Sequence, residues 1–224
     1  PDGTAARVRA LAREDRRVRC VQRIGRRGLS SACIEGMLAT AAPFIAVMDA
    51  DLQHDESVLP AMLARLRAGE ADLVVGSRYA AGGSTGDWDA GRARLSRLAT
   101  RASRLVTRAE LSDPMSGFFM LRREVLEASV RRLSAIGFKI LLDLLASAPR
   151  GLRVVEVPYV FRTRSAGESK LDGMVVWEYG MLLADKTVGR FVPVRFIAFA
   201  AVGGLGVFFH MAVLALLLKG LGFE

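Results

Sequence analysis

Two carboxylates stand one residue apart in Asp49-Ala50-Asp51-Leu52-Gln53-His54, directly after the apolar run Phe44-Ile45-Ala46-Val47-Met48. A short apolar run of this kind reads as a strand buried on both faces. In open α/β sheets, ligands gather beyond the carboxyl ends of strands, which is where this pair falls. Asp49 and Asp51 suit a hard divalent cation, with Gln53 as a further oxygen ligand, and such a cation neutralises a diphosphate. The plainer reading is a capped turn leading into the helix that Asp55 opens.

Other segments carry groups of complementary charge. Gly76-Ser77-Arg78-Tyr79 follows the strand-like Leu73-Val74-Val75, which brings Arg78 to the same edge as Asp49 and Asp51. A guanidinium there can grip a phosphate with two parallel hydrogen bonds. Arg92 and Ser96 lie four residues apart on a basic helix and so face one way, either as a phosphate pair or as part of a solvated basic face. In the tight turn Asp113-Pro114-Met115-Ser116-Gly117-Phe118-Phe119, a buried Asp113 either positions an acceptor or caps the turn. Arg164-Ser165-Ala166-Gly167-Glu168-Ser169-Lys170 reads as a loop that folds over a phosphate, with Lys170 as a point charge, or as a solvated loop. His54 is the one general-base candidate near the site, and it reads as a neighbour on the metal side.

The elements that must position these groups follow from periodicity. Thr4 is the expected cap of a helix bearing Ala5, Val8, Leu11 and Ala12, and residues 18–24 alternate as a strand does. Helix over 29–41, strand over 44–48, a helix with Leu59, Met62, Leu63 and Leu66 on one face, and strand over 73–75 come next. That α-β-α-β-α-β order predicts a parallel α/β sheet. A Gly-rich loop over 79–89, a basic helix to about 108, strand 118–121, helix 133–146 and strand 153–157 complete the domain. The helix over 171–188 carries Leu171, Met174, Val175, Tyr179, Leu182 and Leu183 along one face with Trp177 beside it. It either packs in the core or lies on a membrane surface.

The net charge of +9 over 224 residues calls for an anionic partner: nucleic acid, an anionic lipid surface or a diphosphate. Aromatics make up 7% and are not interleaved with the basic residues, which speaks against nucleic acid. Cys20 and Cys33 lack metal-ligand spacing and read as reduced thiols of a cytosolic compartment. The stretch from Phe196 to Leu218 holds no Asp, Glu, Lys or Arg. As a helix it would run roughly 35 Å, against a hydrocarbon core of about 30 Å, so it reads as a membrane span. Lys186, Arg190 and Arg195 precede it, which puts the preceding domain on the cytoplasmic side. The opening Pro1-Asp2-Gly3-Thr4 and the closing Lys219-Gly220-Leu221-Gly222-Phe223-Glu224 both read as the interior of something longer.

In their order, Pro1-Asp2-Gly3-Thr4, Gly28-Leu29-Ser30-Ser31-Ala32, Asp49 to His54, Gly76 to Tyr79, Asp113 to Phe119 and Arg164 to Lys170 resemble the polyprenyl-phosphate glycosyltransferases of glycosyltransferase family 2, the dolichyl-phosphate mannose synthase group. The resemblance covers about residues 1–172. It implies an α/β fold of the GT-A, Rossmann-like type over 1–170, lacking its first strand, and then an amphipathic interfacial helix over 171–190. Residues 195–224 are similar to the first transmembrane segment of a GtrA-type membrane domain. The resemblance further implies a nucleotide-sugar donor, with GDP-mannose favoured by the Asp-Pro-Met-Ser-Gly-Phe-Phe form, and a polyprenyl-phosphate lipid acceptor. It implies an inverting reaction and a Mg²⁺ or Mn²⁺ ion on Asp49, Asp51 and Gln53. Arg78, Arg92 and Ser96 fall where such enzymes hold the acceptor phosphate. Arg164, Ser169 and Lys170 match the loop that closes over the donor diphosphate, and Asp51 and Arg78 take the catalytic assignments. In one respect the sequence departs from the family. The family's first strand, nucleotide-binding loop and paired aspartates precede the Pro-Asp-Gly-Thr element, so the groups that recognise base and ribose are expected outside this sequence, in an intact parent. Two other readings stand beside this one: an undecaprenyl-phosphate glucosyl- or aminosugar transferase, and a catalytically inactive membrane adaptor with no need of the Asp49–Asp51 pair.

Overall fold

Four strands build one sheet among the described residues of the structure, a computed structural model that describes residues 3–84, 98–107, 109–162, 173–189 and 191–220. They are β1 (Phe44–Val47), β2 (Leu73–Ser77), β3 (Phe119–Arg122) and β4 (Val154–Pro158), in spatial order β1-β3-β2-β4. The labelled helices are α1 (Thr4–Glu14), α2 (Leu29–Leu38), α3 (Leu59–Arg67), α4 (Arg123–Ser129), α5 (Ile140–Ser147), α6 (Gly173–Thr187) and α7 (Val194–Gly220).

The sheet is mixed, not parallel as the element order predicts. β3 runs antiparallel to both β1 and β2, while β2 and β4 are parallel. β1, β2 and β4 therefore share one direction, and β3 is threaded between β1 and β2 in the other. A strand covered on both faces reads as an uninterrupted apolar run whichever way it points, so composition does not reveal its direction. Every residue of β2 is buried, whereas β1 is an edge strand with Ala46 exposed, which corrects the expectation of burial on both its faces.

Alternation along the strands divides the core in two. Ile45, Leu73, Val75, Phe119 and Leu121 meet Met37 of α2, Leu126 of α4, and Leu141 and Leu144 of α5 on one face. Val74, Phe118 and Met120 meet Met62 and Leu66 of α3, with Tyr159 and Phe161, on the other. The layers thus hold β1, β2 and β4 with their carboxyl ends along one edge.

Several local expectations shift. Gly3, with φ +79° and no side chain to cap with, is the N-cap of α1, and Thr4 is its first residue. Residues 18–24 form no strand; Arg23 instead reaches Glu35, the Gly28 carbonyl and Ser31. Asp55 caps as expected, but its Oδ1 accepts from the Ser57 N–H to open a 3₁₀ turn (Glu56–Val58) ahead of α3. α5 begins at Ile140 instead of 133 because Ala135 and Gly137 take positive φ (56° and 67°). The N–H groups of Ser134 and Ala135 donate to the buried Asp143 carboxylate at 3.1 and 2.9 Å.

α6 is pinned to this body. Lys186 Nζ lies 2.6 Å from Asp143 Oδ1, Tyr179 donates to the Ala99 carbonyl at 2.6 Å, and Leu182 is buried. Met174, Val176 and Trp177 stay exposed on its outer side. α7 starts at the buried Val194, and its 23 residues Phe196–Leu218 are apolar, long enough to cross a membrane, and not buried within the protein.

Candidate active site

The carboxyl edge of the sheet gathers the groups that could do chemistry. Beyond β1 the chain turns through Asp49 and Asp51, with Leu52 in the left-handed region at φ 62° and 74% exposed. The Gln53 N–H donates to Asp51 Oδ1 at 3.2 Å, which ties that carboxylate to its own turn. Gln53 is buried, and its Nε2 donates to the Arg162 carbonyl at 3.1 Å, while the Arg162 N–H donates to the Gln53 carbonyl at 2.9 Å. A cation contact from Gln53 is therefore left to its amide oxygen. Arg162 also pairs with Asp55 at 2.9 Å and Glu56 at 3.1 Å, so the chain leaving β4 is clasped to the segment after β1.

Asp49 is held from two sides. A Cβ at Gly117 would lie 2.6 Å from Asp49 Oδ2, so glycine there makes room for the carboxylate. His54 Nε2 stands 3.7 Å from the same oxygen. The His54 ring is buried among Phe118, Tyr159 and Phe161, with centroid distances of 5.3, 5.6 and 5.5 Å, and its Nδ1 shares a 2.8 Å hydrogen bond with the Tyr159 hydroxyl. Burial pushes the Tyr159 phenol well above its ordinary pKa, so it stays a neutral hydrogen-bonding group. Cys33 of α2 is likewise raised, by burial and then by Asp49.

The turn after β2 is organised by charge. Arg78 is bound in bidentate fashion by Asp113, Nε to Oδ2 at 2.7 Å and Nη2 to Oδ1 at 2.8 Å, with the Arg78 N–H adding a third contact at 3.2 Å. The Asp113 side chain is 1% exposed and that of Arg78 11%. Burial works against the Arg78 charge, but the Asp113 carboxylate outweighs it, and the guanidinium pKa is raised. The guanidinium carbon also lies 5.4 Å from the centre of Phe161 and 5.6 Å from that of Tyr79. The fork expected to grip a phosphate is thus oriented by a carboxylate, and Asp113 emerges as its holder.

Glu156 of β4 was not singled out by sequence, yet it supports this pair. Its carboxylate accepts from the Ser112 N–H, the Ser112 hydroxyl and the Asp113 N–H at 3.0, 2.8 and 3.0 Å. Ser77 and Ser112 share a 2.8 Å hydrogen bond, and Ser116 donates to the Gly76 carbonyl at 2.7 Å. A single charge inside the strand Val154-Val155-Glu156-Val157-Pro158 was the available signal, since a half-buried carboxylate in a strand needs donors nearby.

The structure therefore brings Asp49, Asp51, Gln53 and Arg78 to one edge. Arg92, Ser96, Arg164, Ser169 and Lys170 lie outside the described residues. Among the described residues, no three His, Cys, Asp or Glu side chains are placed to hold a metal together. Two carboxylates and an amide oxygen nevertheless fit Mg²⁺ or Mn²⁺. Magnesium in particular is commonly bound by one or two carboxylates, with substrate phosphates and water completing its shell. The space reserved for the Asp49 carboxylate against Gly117 agrees with a carboxylate that must keep one position.

Comparisons with known proteins bear on the family and the fold. The model of the family described as glycosyl transferase family 2 matches residues 1–129. A dolichol-phosphate mannosyltransferase of Saccharomyces cerevisiae is 40% identical over 196 residues, covering 85% of this chain and 72% of the yeast protein. The enzyme of the same name from Pyrococcus furiosus is 40% identical over 164 residues, 72% of this chain, and the match spans about half (46%) of the length of that relative. Among solved structures, glucosyl-3-phosphoglycerate synthase from Mycobacterium tuberculosis, in complex with Mn²⁺, UDP-glucose and phosphoglyceric acid, superposes with a TM-score of 0.57 at 20% identity. That match covers 83% of this chain and 64% of the other, and it carries the fold alone.

Proposed function

This chain belongs to glycosyl transferase family 2, and on that premise we propose that it forms the catalytic part of an inverting, metal-dependent enzyme. The enzyme transfers mannose from GDP-mannose to a polyprenyl phosphate at the cytoplasmic face of a membrane. The observation that carries the reading is the Asp49–Asp51 pair at the end of β1, with one carboxylate packed against Gly117 and Arg78 on the same sheet edge. The relatives named above share the acceptor class in their names, which supports a lipid phosphate as acceptor.

The chemistry needs little from the protein as an acid or base. A phosphomonoester has its second pKa at about 6, so the acceptor is largely ionised at neutral pH and needs no general base. One acceptor oxygen forms a bond to the anomeric carbon while the bond from that carbon to the nucleoside diphosphate breaks, and the electron pair leaves with the diphosphate. A Mg²⁺ or Mn²⁺ ion, when bound, neutralises the charge that builds on that leaving group. Asp49 and Asp51 would supply its carboxylate oxygens, and Gln53 would supply an amide oxygen. Arg78, oriented by Asp113, offers positive charge to the acceptor phosphate together with Arg92 and Ser96. Arg164, Ser169 and Lys170 close over the donor. Rate enhancement then comes from positioning and from charge stabilisation.

Residues 1–170 form the catalytic unit in this reading, with α6 lying along the bilayer surface and α7 crossing it. The exposed Met174, Val176 and Trp177 of α6 give it an apolar outer side for that contact. The basic charge before α7 favours the cytoplasmic side. Replacing Asp51 by Ala in the protein that carries this chain tests the metal assignment. Transfer to lipid falls by at least about 100-fold if the carboxylate stabilises the departing charge, and near-full transfer by the variant contradicts the mechanism.

A further inference from the structure

At the opposite end of β4 from the active site lies an open cleft of about 1470 Å³. Its walls include Leu152, which precedes β4, whereas Tyr159, beside the active site, follows it. Arg104, Arg131, Arg132 and Arg150 line it, together with Lys186 and the single acid Asp185. Lys186 is neutralised by the buried Asp143, and Asp185 accepts from the Ser134 hydroxyl. Arg132 donates to the Ala128 carbonyl, which leaves its charge unpaired. The side chains of Arg104, Arg131 and Arg150 are exposed and make no hydrogen bond or ion pair among the described residues. Four guanidinium groups thus line one cleft against the single carboxylate of Asp185, and the excess positive charge favours an anion there.

The position of the cleft identifies the source of that anion. Gly189 lines it, and α7 begins at Val194, so at most about 18 Å of extended chain separates the two. The real separation is shorter, because the N–H groups of Phe191 and Val192 both bond back to the Val188 carbonyl, and Val194 is buried against the body. The apolar span begins at Phe196, two residues after the start of α7. Leu105 at 76% and Phe191 at 71% exposure add apolar side chains, one on the cleft wall and one beside Gly189. Cationic side chains along the cleft, apolar side chains nearby and a membrane-length helix that begins five residues past its wall match a phospholipid at the headgroup level.

We propose that this cleft binds the phosphate headgroup of an anionic phospholipid and so fixes the C-terminal end of α6 at the bilayer; this rests on reading α7 as a membrane span. The site is separate from Asp49 and Arg78, and its ligand is structural lipid rather than substrate.

The test uses the full chain, extracted gently from vesicles of phosphatidylcholine alone or mixed with phosphatidylglycerol, with retained lipid counted by native mass spectrometry. Phosphatidylglycerol is expected to be retained over phosphatidylcholine. Arg131→Ala with Arg150→Ala should weaken retention about 30-fold, at about five-fold per arginine. Arg13→Ala with Arg16→Ala removes the same net charge from exposed positions outside the cleft and should leave retention intact. Equal retention by the cleft variant overturns the proposal, and so does displacement of the lipid by millimolar inorganic phosphate, which would make free phosphate the ligand. Alkaline carbonate extraction reads the span separately. Release of the chain from membranes removes α7 as an anchor and takes the inference with it, whereas a retained chain without lipid selectivity overturns the cleft alone.

Discussion

Gly117→Ala perturbs the site by one methyl group. The added Cβ would sit 2.6 Å from Asp49 Oδ2 and 3.2 Å from Asp49 Cγ, whereas ordinary contact begins at 3.4 Å. The carboxylate must therefore retreat by about 0.8 Å. It is the free end of a half-exposed side chain, so the backbone around it stays in place and folding is little affected. A misplacement near 1 Å at a reacting centre costs about 100-fold in rate, or about 2.7 kcal/mol of transition-state stabilisation. The assay is kcat/KM for sugar transfer at saturating Mn²⁺, with Mn²⁺ affinity measured alongside by electron paramagnetic resonance and Tm as the control. The expected result is a 30- to 100-fold loss (roughly the range set by that displacement) with weakened Mn²⁺ binding and an unchanged Tm. Unaltered kcat/KM and Mn²⁺ affinity in a folded variant would refute the reasoning, because Asp49 would then need no fixed position.

Two further substitutions read the framework under the site. Asp113→Ala strands the buried Arg78 charge, at a cost of about 3–5 kcal/mol, and should lower Tm by roughly 6–20 °C; an unchanged Tm by calorimetry would mean the pair is not structural. Asp72 accepts from Arg153 at 2.6 and 3.0 Å, and that hydrogen bonding lowers its pKa from the ordinary 3.8. A depressed folded pKa contributes stability that is present above the unfolded value and lost as pH falls through the folded one. Asp72→Asn should therefore reduce stability by about 1 kcal/mol at neutral pH, discounted for the exposed Arg153. The gap between the urea midpoints of the two proteins should begin to close as pH falls below about 4, the unfolded carboxylate value, and vanish below the depressed folded one, and a gap that stays constant through this acid range contradicts the assignment.

The carboxylate run was legible because its chemistry is local: Asp49 to His54 sit in one turn at a strand end, and strand, turn and cap each leave a signature. The same holds for Met62 and Leu66, whose helical spacing marks the face that α3 buries. What was not legible depends on distant partners. Nothing in Phe119–Arg122 states that it pairs antiparallel between two strands that run the other way. The alternation at residues 18–24 is as good as that of many strands, but a strand also needs a neighbour to bond with. Asp113 is read from sequence as a turn residue, and only the 35-residue separation closed by folding makes it the partner of Arg78. Glu156 supports that pair across a further 43 residues. Positive φ at Ala135, a residue with no preference for it, delayed α5, where a glycine would have signalled the break.

The central claim is that the protein carrying this chain transfers mannose to a lipid phosphate. The most direct measurement supplies membranes containing it with polyprenyl phosphate and Mn²⁺, and with radiolabelled GDP-mannose or UDP-glucose in parallel. Organic extraction then separates labelled lipid from unreacted donor. The account predicts label in the lipid phase from GDP-mannose and none from UDP-glucose. Label from UDP-glucose alone would keep the transfer and overturn the sugar, and no lipid label from either donor would contradict the claim itself.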